Sequence, residues 1–274
     1  MVLHKRQPAA GHRTLVLRRG AIGDSICFLP VIDAARTSWP HHELHFAGEA
    51  AVADLFEIRG IVDRGFSSED LQLWRGPAAL ARYDVVIGDV EGSTVRFDVV
   101  VDERDETPAS RQLCERAARV WPMPWPSVPN KPRLPRAATA ASPLLWLHPG
   151  SGSPRKNWPG FAELAEHALG AGIQVAASFG AADEAIAEQL ERRLPAAVRR
   201  RTGLVLTTLA SELERAAVYV GNDSGISHLA AALGVTTVAL FGPSSCVAWR
   251  PHGARILDFD ASPQEVGAIA LQST

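Results

Sequence analysis

The sequence predicts an α/β protein built from two doubly wound halves, and three observations predict it. Short apolar, β-branched runs alternate with helical patterns along most of the chain, the signature of parallel sheets joined by crossover helices. A proline-dense stretch from Trp121 to Pro143 divides the chain into halves of similar length. Several strands end in glycine-bearing turns that open onto a helix, where α/β sheets hold ligands. The expected organisation is a domain over 1–126, a linker over 127–143 and a domain over 144–274, the two domains facing across a cleft.

Composition agrees with that class. The chain has 274 residues, 46% hydrophobic and 21% charged, enough for two moderate cores. A net charge of −2 provides no global field toward nucleic acid. Cys27, Cys114 and Cys246 lie far apart with no metal-ligand spacing and read as reduced thiols of a cytoplasmic protein. The N-terminus is basic, but Leu15-Val16-Leu17 is too short for a signal core. No apolar run reaches membrane-spanning length, which leaves at most a peripheral membrane contact.

Taken in order, Arg13 to Leu17 reads as a strand, followed by the turn Arg18-Arg19-Gly20-Ala21-Ile22-Gly23-Asp24. A helix is expected over Ser25 to Ser38, kinked at Pro30. Glu43 to Ala47 alternates as a strand, and a helix runs from Glu49 to Ile58. Ile61 to Asp63, Val85 to Ile87 and Phe97 to Val101 read as further strands before a helix over Ala109 to Val120. Trp121 and Trp125 read as packing for the hinge. In the second half, Leu144 to Leu147, Gln174 to Ser178, Ala216 to Val220 and Thr236 to Phe241 read as strands. Helices are expected over Phe161 to Leu169, Glu184 to Leu194, Leu229 to Leu233 and Pro263 to Leu271. Arg192-Arg193 and Arg199 to Arg201 read as solvated faces.

Three turns carry candidate chemistry. In Gly221-Asn222-Asp223-Ser224-Gly225-Ile226-Ser227-His228, a strand passes into an alanine-rich helix capped by Gly234. Asp223 and Ser224 are natural N-caps, and the free amides and positive end of such a helix suit phosphate. In His148-Pro149-Gly150-Ser151-Gly152-Ser153-Pro154-Arg155-Lys156-Asn157-Trp158-Pro159, small residues expose amides, Lys156 adds a movable charge, and Trp158-Pro159 pins the loop. Gly20 to Asp24 lacks the third glycine of a dinucleotide fingerprint and has no Gly-Lys-Ser/Thr, so it is neither a nicotinamide nor a P-loop signature. Its distinctive group is Asp24 at a helix start, readable as a cap or as a general base.

Together these stretches resemble the heptosyltransferases of glycosyltransferase family nine. The resemblance runs through Leu17 to Pro30, through Leu147 to Trp158 with Lys156-Asn157-Trp158, and through Val220 to Pro243 with Leu240-Phe241-Gly242-Pro243 at family spacing. It implies a GT-B architecture of two Rossmann-like domains, with a last helix that can pack back across the first domain. It also implies inverting, metal-independent transfer of heptose from ADP-heptose during lipopolysaccharide assembly, with no cofactor. By position, Asp24 resembles the family's base. Ser151, Gly152, Lys156, Ser224, Gly225 and His228 resemble its pyrophosphate contacts, Asp223 helps place the donor sugar, and Glu184 resembles the ribose-binding acid. The implied partners are a nucleotide-sugar donor and a saccharide or lipid-linked saccharide acceptor, and no nucleic acid. The first half is short for this family over Gly65 to Val101, where acceptor-recognition loops would add length, which implies a smaller acceptor or an ADP-linked or other nucleotide sugar in a different pathway. Two alternatives remain at this stage: a non-catalytic nucleotide-sugar-binding protein, and a nucleotide-sugar epimerase on the same fold.

Overall fold

The computed structural model describes residues 11–69, 80–121, 132–135 and 142–272. It divides into two compact units, Met1–Pro135 and Arg136–Thr274, a boundary inside the proline-dense stretch. Most of that stretch, Trp125 included, lies outside the described residues.

The first unit is a five-stranded parallel sheet. Its strands are β1 (Arg13–Leu17), β2 (Glu43–Gly48), β3 (Arg64–Ser67), β4 (Val85–Gly88) and β5 (Val95–Arg96), in the spatial order β3-β2-β1-β4-β5. The helices are α1 (Ile22–Cys27), α2 (Leu29–Ser38), α3 (Ala50–Ile58) and α4 (Ala109–Val120). The expected single helix over 25–38 is two. It begins earlier, at Ile22, breaks at Phe28, and restarts with Pro30 in the first turn of α2, where a missing N–H leaves nothing unpaired.

Two expected strands are displaced. Ile61 to Asp63 is a bend, because the Asp63 carboxylate accepts the Leu44 N–H at 2.8 Å and an Arg36 N–H at 2.7 Å, and pairing with β2 starts only at Arg64. Phe97 to Val101 is irregular. Phe97 turns into the core to stack on Phe28 at 5.9 Å, and the Asp98 carboxylate accepts the Val100 N–H at 2.8 Å, an Asx turn that ends the ladder. Trp121 stacks on Trp39 at 4.9 Å within this unit.

The second unit has six parallel strands: β6 (Ser142–His148), β7 (Gln174–Phe179), β8 (Arg199–Thr202), β9 (Ala216–Asn222), β10 (Thr236–Phe241) and β11 (Arg255–Asp258). Their order, β11-β10-β9-β6-β7-β8, is the doubly wound order in which the first strand of the unit lies between its second and fourth. The first sheet has the same arrangement, although no sequence repeat relates the halves. The helices are α5 (Phe161–Gly170), α6 (Glu184–Glu191), α7 (Leu206–Leu213), α8 (Gly225–Ala232), α9 (Cys246–Trp249) and α10 (Pro263–Leu271).

Sequence reading missed β8, α7, α9 and β11. β8 is an edge strand of three arginines and a threonine, all exposed, so it carries no apolar pattern to read. Helix α6 ends at Glu191 rather than Leu194. Helix α10 packs on α5, with Val266 and Ala270 fully buried in the core of the second unit beside Leu164 and Val218.

Candidate functional site

The donor-side candidates gather at the carboxyl ends of β6 and β9. Ser224 is the N-cap of α8, its hydroxyl accepting from Ser227 N, so the helix starts at Gly225 as the sequence predicts. The strand before it is held from below. Tyr219 is fully buried, with its hydroxyl 3.1 Å from Ser227 Oγ, and a Cβ at Gly221 would lie 2.2 Å from that hydroxyl. Only glycine fits there. His228 is buried in the first turn of α8.

The loop after β6 is stapled to this turn. Asn222, fully buried, accepts the Trp158 N–H at 3.0 Å through Oδ1 and donates to the Pro149 carbonyl at 2.7 Å through Nδ2. Residues Pro154–Lys156 form a single 3-10 turn that carries the Lys156 ammonium to Asp223 Oδ2, 2.6 Å away. Ser244 Oγ donates to the same oxygen at 2.6 Å. The Asp223 carboxylate is nearly buried, whereas the Lys156 side chain keeps a third of its surface open to solvent. Ser151 turns its hydroxyl into its own loop, 2.6 Å from the Ser153 carbonyl and 2.7 Å from Asn157 Oδ1. Gly152 has nothing within 4 Å of a Cβ position, so its backbone stands open.

A second, deeper connection ties this loop to the turn after β7. Asp183 is buried, accepts the Gly180 N–H at 2.7 Å, and lies 3.6 Å from His148 Nε2. His148 Nδ1 is 3.0 Å from Ser178 Oγ, which accepts the Trp146 indole N–H at 2.9 Å. Burial pushes the His148 pKa below its ordinary value, opposed by the Asp183 charge and by Ser178. Gly150 packs flat against the Asp183 carboxylate. Of the adjacent acids, Asp183 is therefore engaged in structure, and Glu184, exposed at the first position of α6, is the one that faces solvent. A cavity of about 320 Å³ lies beside the loop, lined by Trp158, Asp183, Ile186 and Arg193 among others but by neither Lys156 nor Asp223.

Asp24 belongs to the first unit. It lies in the first turn of α1, where Oδ2 accepts the Ala21 N–H at 3.0 Å and Oδ1 accepts from Arg18 Nη2 at 2.6 Å. Gly20 has φ +131° and presses on the carboxylate, since a Cβ there would lie 2.7 Å from Asp24 Cγ. A quarter of the Asp24 side chain remains exposed. The neighbouring Cys27 thiol is pushed up to about 12, chiefly by burial and further by the Asp24 charge, so it stays protonated at neutral pH. A cavity of about 590 Å³ opens at the ends of β1, β2 and β3, bordered by Arg19, Gly20, Gly48, Glu49, Ser67 and Glu69.

Lys156, Asp223 and Ser224 thus converge, with Gly225 and His228 on the same helix start, Ser151 and Gly152 on the stapled loop, and Glu184 on the next turn. Sequence reasoning missed Asn222, Ser244, Asp183 as a structural acid, and Arg18. Asn222 stood inside the most specific motif and could have been found from its place at a strand end beside two loops. The others have no local pattern.

Two doubly wound units of this order, each with turns carrying its candidate groups at the carboxyl ends of strands, define the fold as the GT-B class of two Rossmann-like domains. The chain belongs to glycosyltransferase family 9 (heptosyltransferase), whose family model matches residues 111–265. It is 34% identical over 111 residues to lipooligosaccharide heptosyltransferase 2 of Haemophilus influenzae, covering 38% of this chain and 32% of that one. It is 36% identical over 129 residues to lipopolysaccharide heptosyltransferase 2 of Salmonella typhimurium, covering 42% and 36%. The matched stretch therefore spans about a third of these relatives' length. In three dimensions the chain is similar to the ADP-heptose lipopolysaccharide heptosyltransferase II of E. coli, with a TM-score of 0.77 at 21% identity, over 95% of this chain and 99% of that one. An E. coli heptosyltransferase solved with ADP gives 0.72 at 17%, over 96% and 100%.

Proposed function

We propose that this protein transfers a sugar, heptose, from ADP-heptose to an acceptor hydroxyl with inversion and without a metal. The observation that carries the reading is the Lys156 ammonium, fixed on Asp223 beside the Ser224-capped start of α8. A nucleoside diphosphate leaving group gains negative charge as its bond to the sugar breaks. Lys156, His228 and the free amides at Ser224–Gly225 and Gly152 meet that charge, which is the service a metal ion would otherwise supply. Glu184 takes the ribose hydroxyls and Asp223 the sugar. The carboxylate of Asp24 removes the acceptor proton while the acceptor oxygen attacks the anomeric carbon. The acceptor is a saccharide or lipid-linked saccharide, and the cavity beside Gly20 offers it hydroxyl and carboxylate partners. A binding protein without catalysis needs no base, and an epimerase would release free sugar without an acceptor.

A thermal-shift screen of nucleoside diphosphates and nucleotide sugars tests the donor. ADP and ADP-heptose are expected to raise the melting temperature well above UDP- and GDP-sugars, because a ligand stabilises only the state that binds it. No stabilisation by any adenine nucleotide would remove the proposed donor.

A further inference from the structure

We infer that Arg18 is the positioning residue of the Asp24 carboxylate, an inference that rests on the base role proposed above. Arg18 follows β1 directly, its N–H bonded to the Ala47 carbonyl at 3.0 Å, so its backbone is part of the sheet's rigid end. From there the side chain turns inward. The guanidinium lies over the Phe28 ring at 5.9 Å, its side chain 8% exposed, and reaches Asp24 Oδ1 at 2.6 Å. Its Nε is buried with no hydrogen-bond partner among the described residues.

That arrangement is a poor one for the arginine. A guanidinium has five N–H donors, and burying it with one of them unmet is unfavourable. A cation recruited for stability would be better placed in water, where exposed partners satisfy it. The geometry instead serves the carboxylate. Oδ1 is fixed by Arg18, Oδ2 by the Ala21 N–H at 3.0 Å, and Gly20 closes the remaining side, so the carboxylate has one orientation. Each carboxylate oxygen can accept a second hydrogen bond, and the side chain is 25% exposed, so an acceptor hydroxyl can still donate to it.

Arg18 takes no part in the bond changes. The acceptor proton passes to Asp24, the acceptor oxygen bonds to the anomeric carbon, and the sugar–diphosphate bond breaks with its electron pair on the diphosphate. Arg18 keeps its charge throughout and holds the receiving oxygen in line. Losing it leaves Oδ1 unheld, with only the Ala21 N–H and Gly20 on the other side, which lowers the fraction of bound complexes in a reactive geometry.

The experiment compares Arg18→Met, Arg18→Lys and Asp24→Asn in the full chain. ADP release from ADP-heptose is followed with heptose-deficient lipopolysaccharide core as acceptor, and ADP binding by titration calorimetry. Arg18→Met is expected to lower kcat about tenfold or more, with KM for the donor and ADP affinity unchanged. Millimolar guanidinium restores part of the loss, and Arg18→Lys, which keeps the charge without the planar fork, is intermediate. A structural role would instead lower ADP binding and kcat together through loss of folded protein, with no rescue. Where Arg18→Met fails to fold, Arg18→Lys carries the test: wild-type kcat in a folded Arg18→Lys overturns the inference. With Asp24→Asn inactive, wild-type kcat in folded Arg18→Met overturns it too, and the base reading stands. Wild-type turnover in Asp24→Asn overturns both.

Discussion

Gly150 provides the sharpest test of how the loop after β6 is held. A Cβ at position 150 would lie 2.0 Å from both Cγ and Oδ1 of Asp183 and 2.3 Å from Oδ2, distances no side chain can absorb. In Gly150→Ala the carboxylate must leave its place, and it is not free to do so cheaply. It gives up the Gly180 N–H at 2.7 Å, a part-buried bond, and its approach to the buried His148. The lost part-buried hydrogen bond costs about 0.5–1.5 kcal/mol, and the overpacking adds about 1–3 kcal/mol. At roughly 3 °C for each kcal/mol in a unit of this size, the melting transition of the second unit should fall by about 10 °C. ADP binding weakens as well, since Ser151, Gly152 and Lys156 ride on the same loop. Gly152→Ala is the internal control. A Cβ there meets nothing within 4 Å, so stability should change by no more than about 0.5 kcal/mol. Differential scanning calorimetry reads both variants. Equal transitions for the two alanine variants would refute the claim that Asp183 clamps this loop.

Lys156→Ala is expected to weaken ADP binding by about tenfold or more in titration calorimetry, through loss of a charge-assisted contact, while Asp223 keeps Ser244 as a partner. Asp24→Asn should lower turnover by about a hundredfold or more. Viewed as a sequence, it promises near-normal folding. The ion pair changes that: a neutral amide leaves the buried Arg18 charge uncompensated, so its melting temperature should fall, and Arg18→Met in the same chain should recover part of the loss. Stability should also depend on pH through His148. Its folded pKa lies below the ordinary 6.5, so below that value the unfolded chain binds the additional proton. The contribution is full above pH 6.5 and declines as the pH falls. His148→Gln should therefore flatten the dependence of denaturation midpoint on pH between about 7 and 5, only in part, because burial lowers His45 of the first unit in the same direction.

The elements legible in the sequence were those whose apolar period matched their burial. β1, β4, β6, β7, β9 and β10 are largely apolar runs because a doubly wound sheet covers both faces, and β2 was readable by its alternation. The illegible ones had a competing cause. Asp63 and Asp98 draw backbone amides to their side chains and shift or end a ladder that Val62 and Val99-Val100-Val101 seemed to promise. The site follows the same division. Ser224 was readable as the cap of α8 because capping acts between sequence neighbours, whereas Lys156 meets Asp223 across 67 residues. Arg18 pairs with a residue six positions on, across a turn whose path only the fold defines. The partnership of Gly150 and Asp183 joins two strand ends that sequence separates by 33 residues.

The run Arg199-Arg200-Arg201 is the outermost strand of its sheet, and that position has a consequence for the protein in a crowded solution. An uncovered strand offers a row of unpaired amides and carbonyls to any extended chain that passes, another copy of this protein included. Here the outer strand carries three like charges in succession. Arg200 reaches back to the Leu194 carbonyl at 2.9 Å and Arg201 to Glu212 at 2.9 Å, so the charges are held in place over the rim. Two such rims brought together repel before their backbones can meet. The triple arginine that reads in the sequence as a solvated face acts, at a sheet edge, as a guard against edge-to-edge pairing, and β-branched replacements at Arg199 and Arg201 would turn the same strand into an adhesive one.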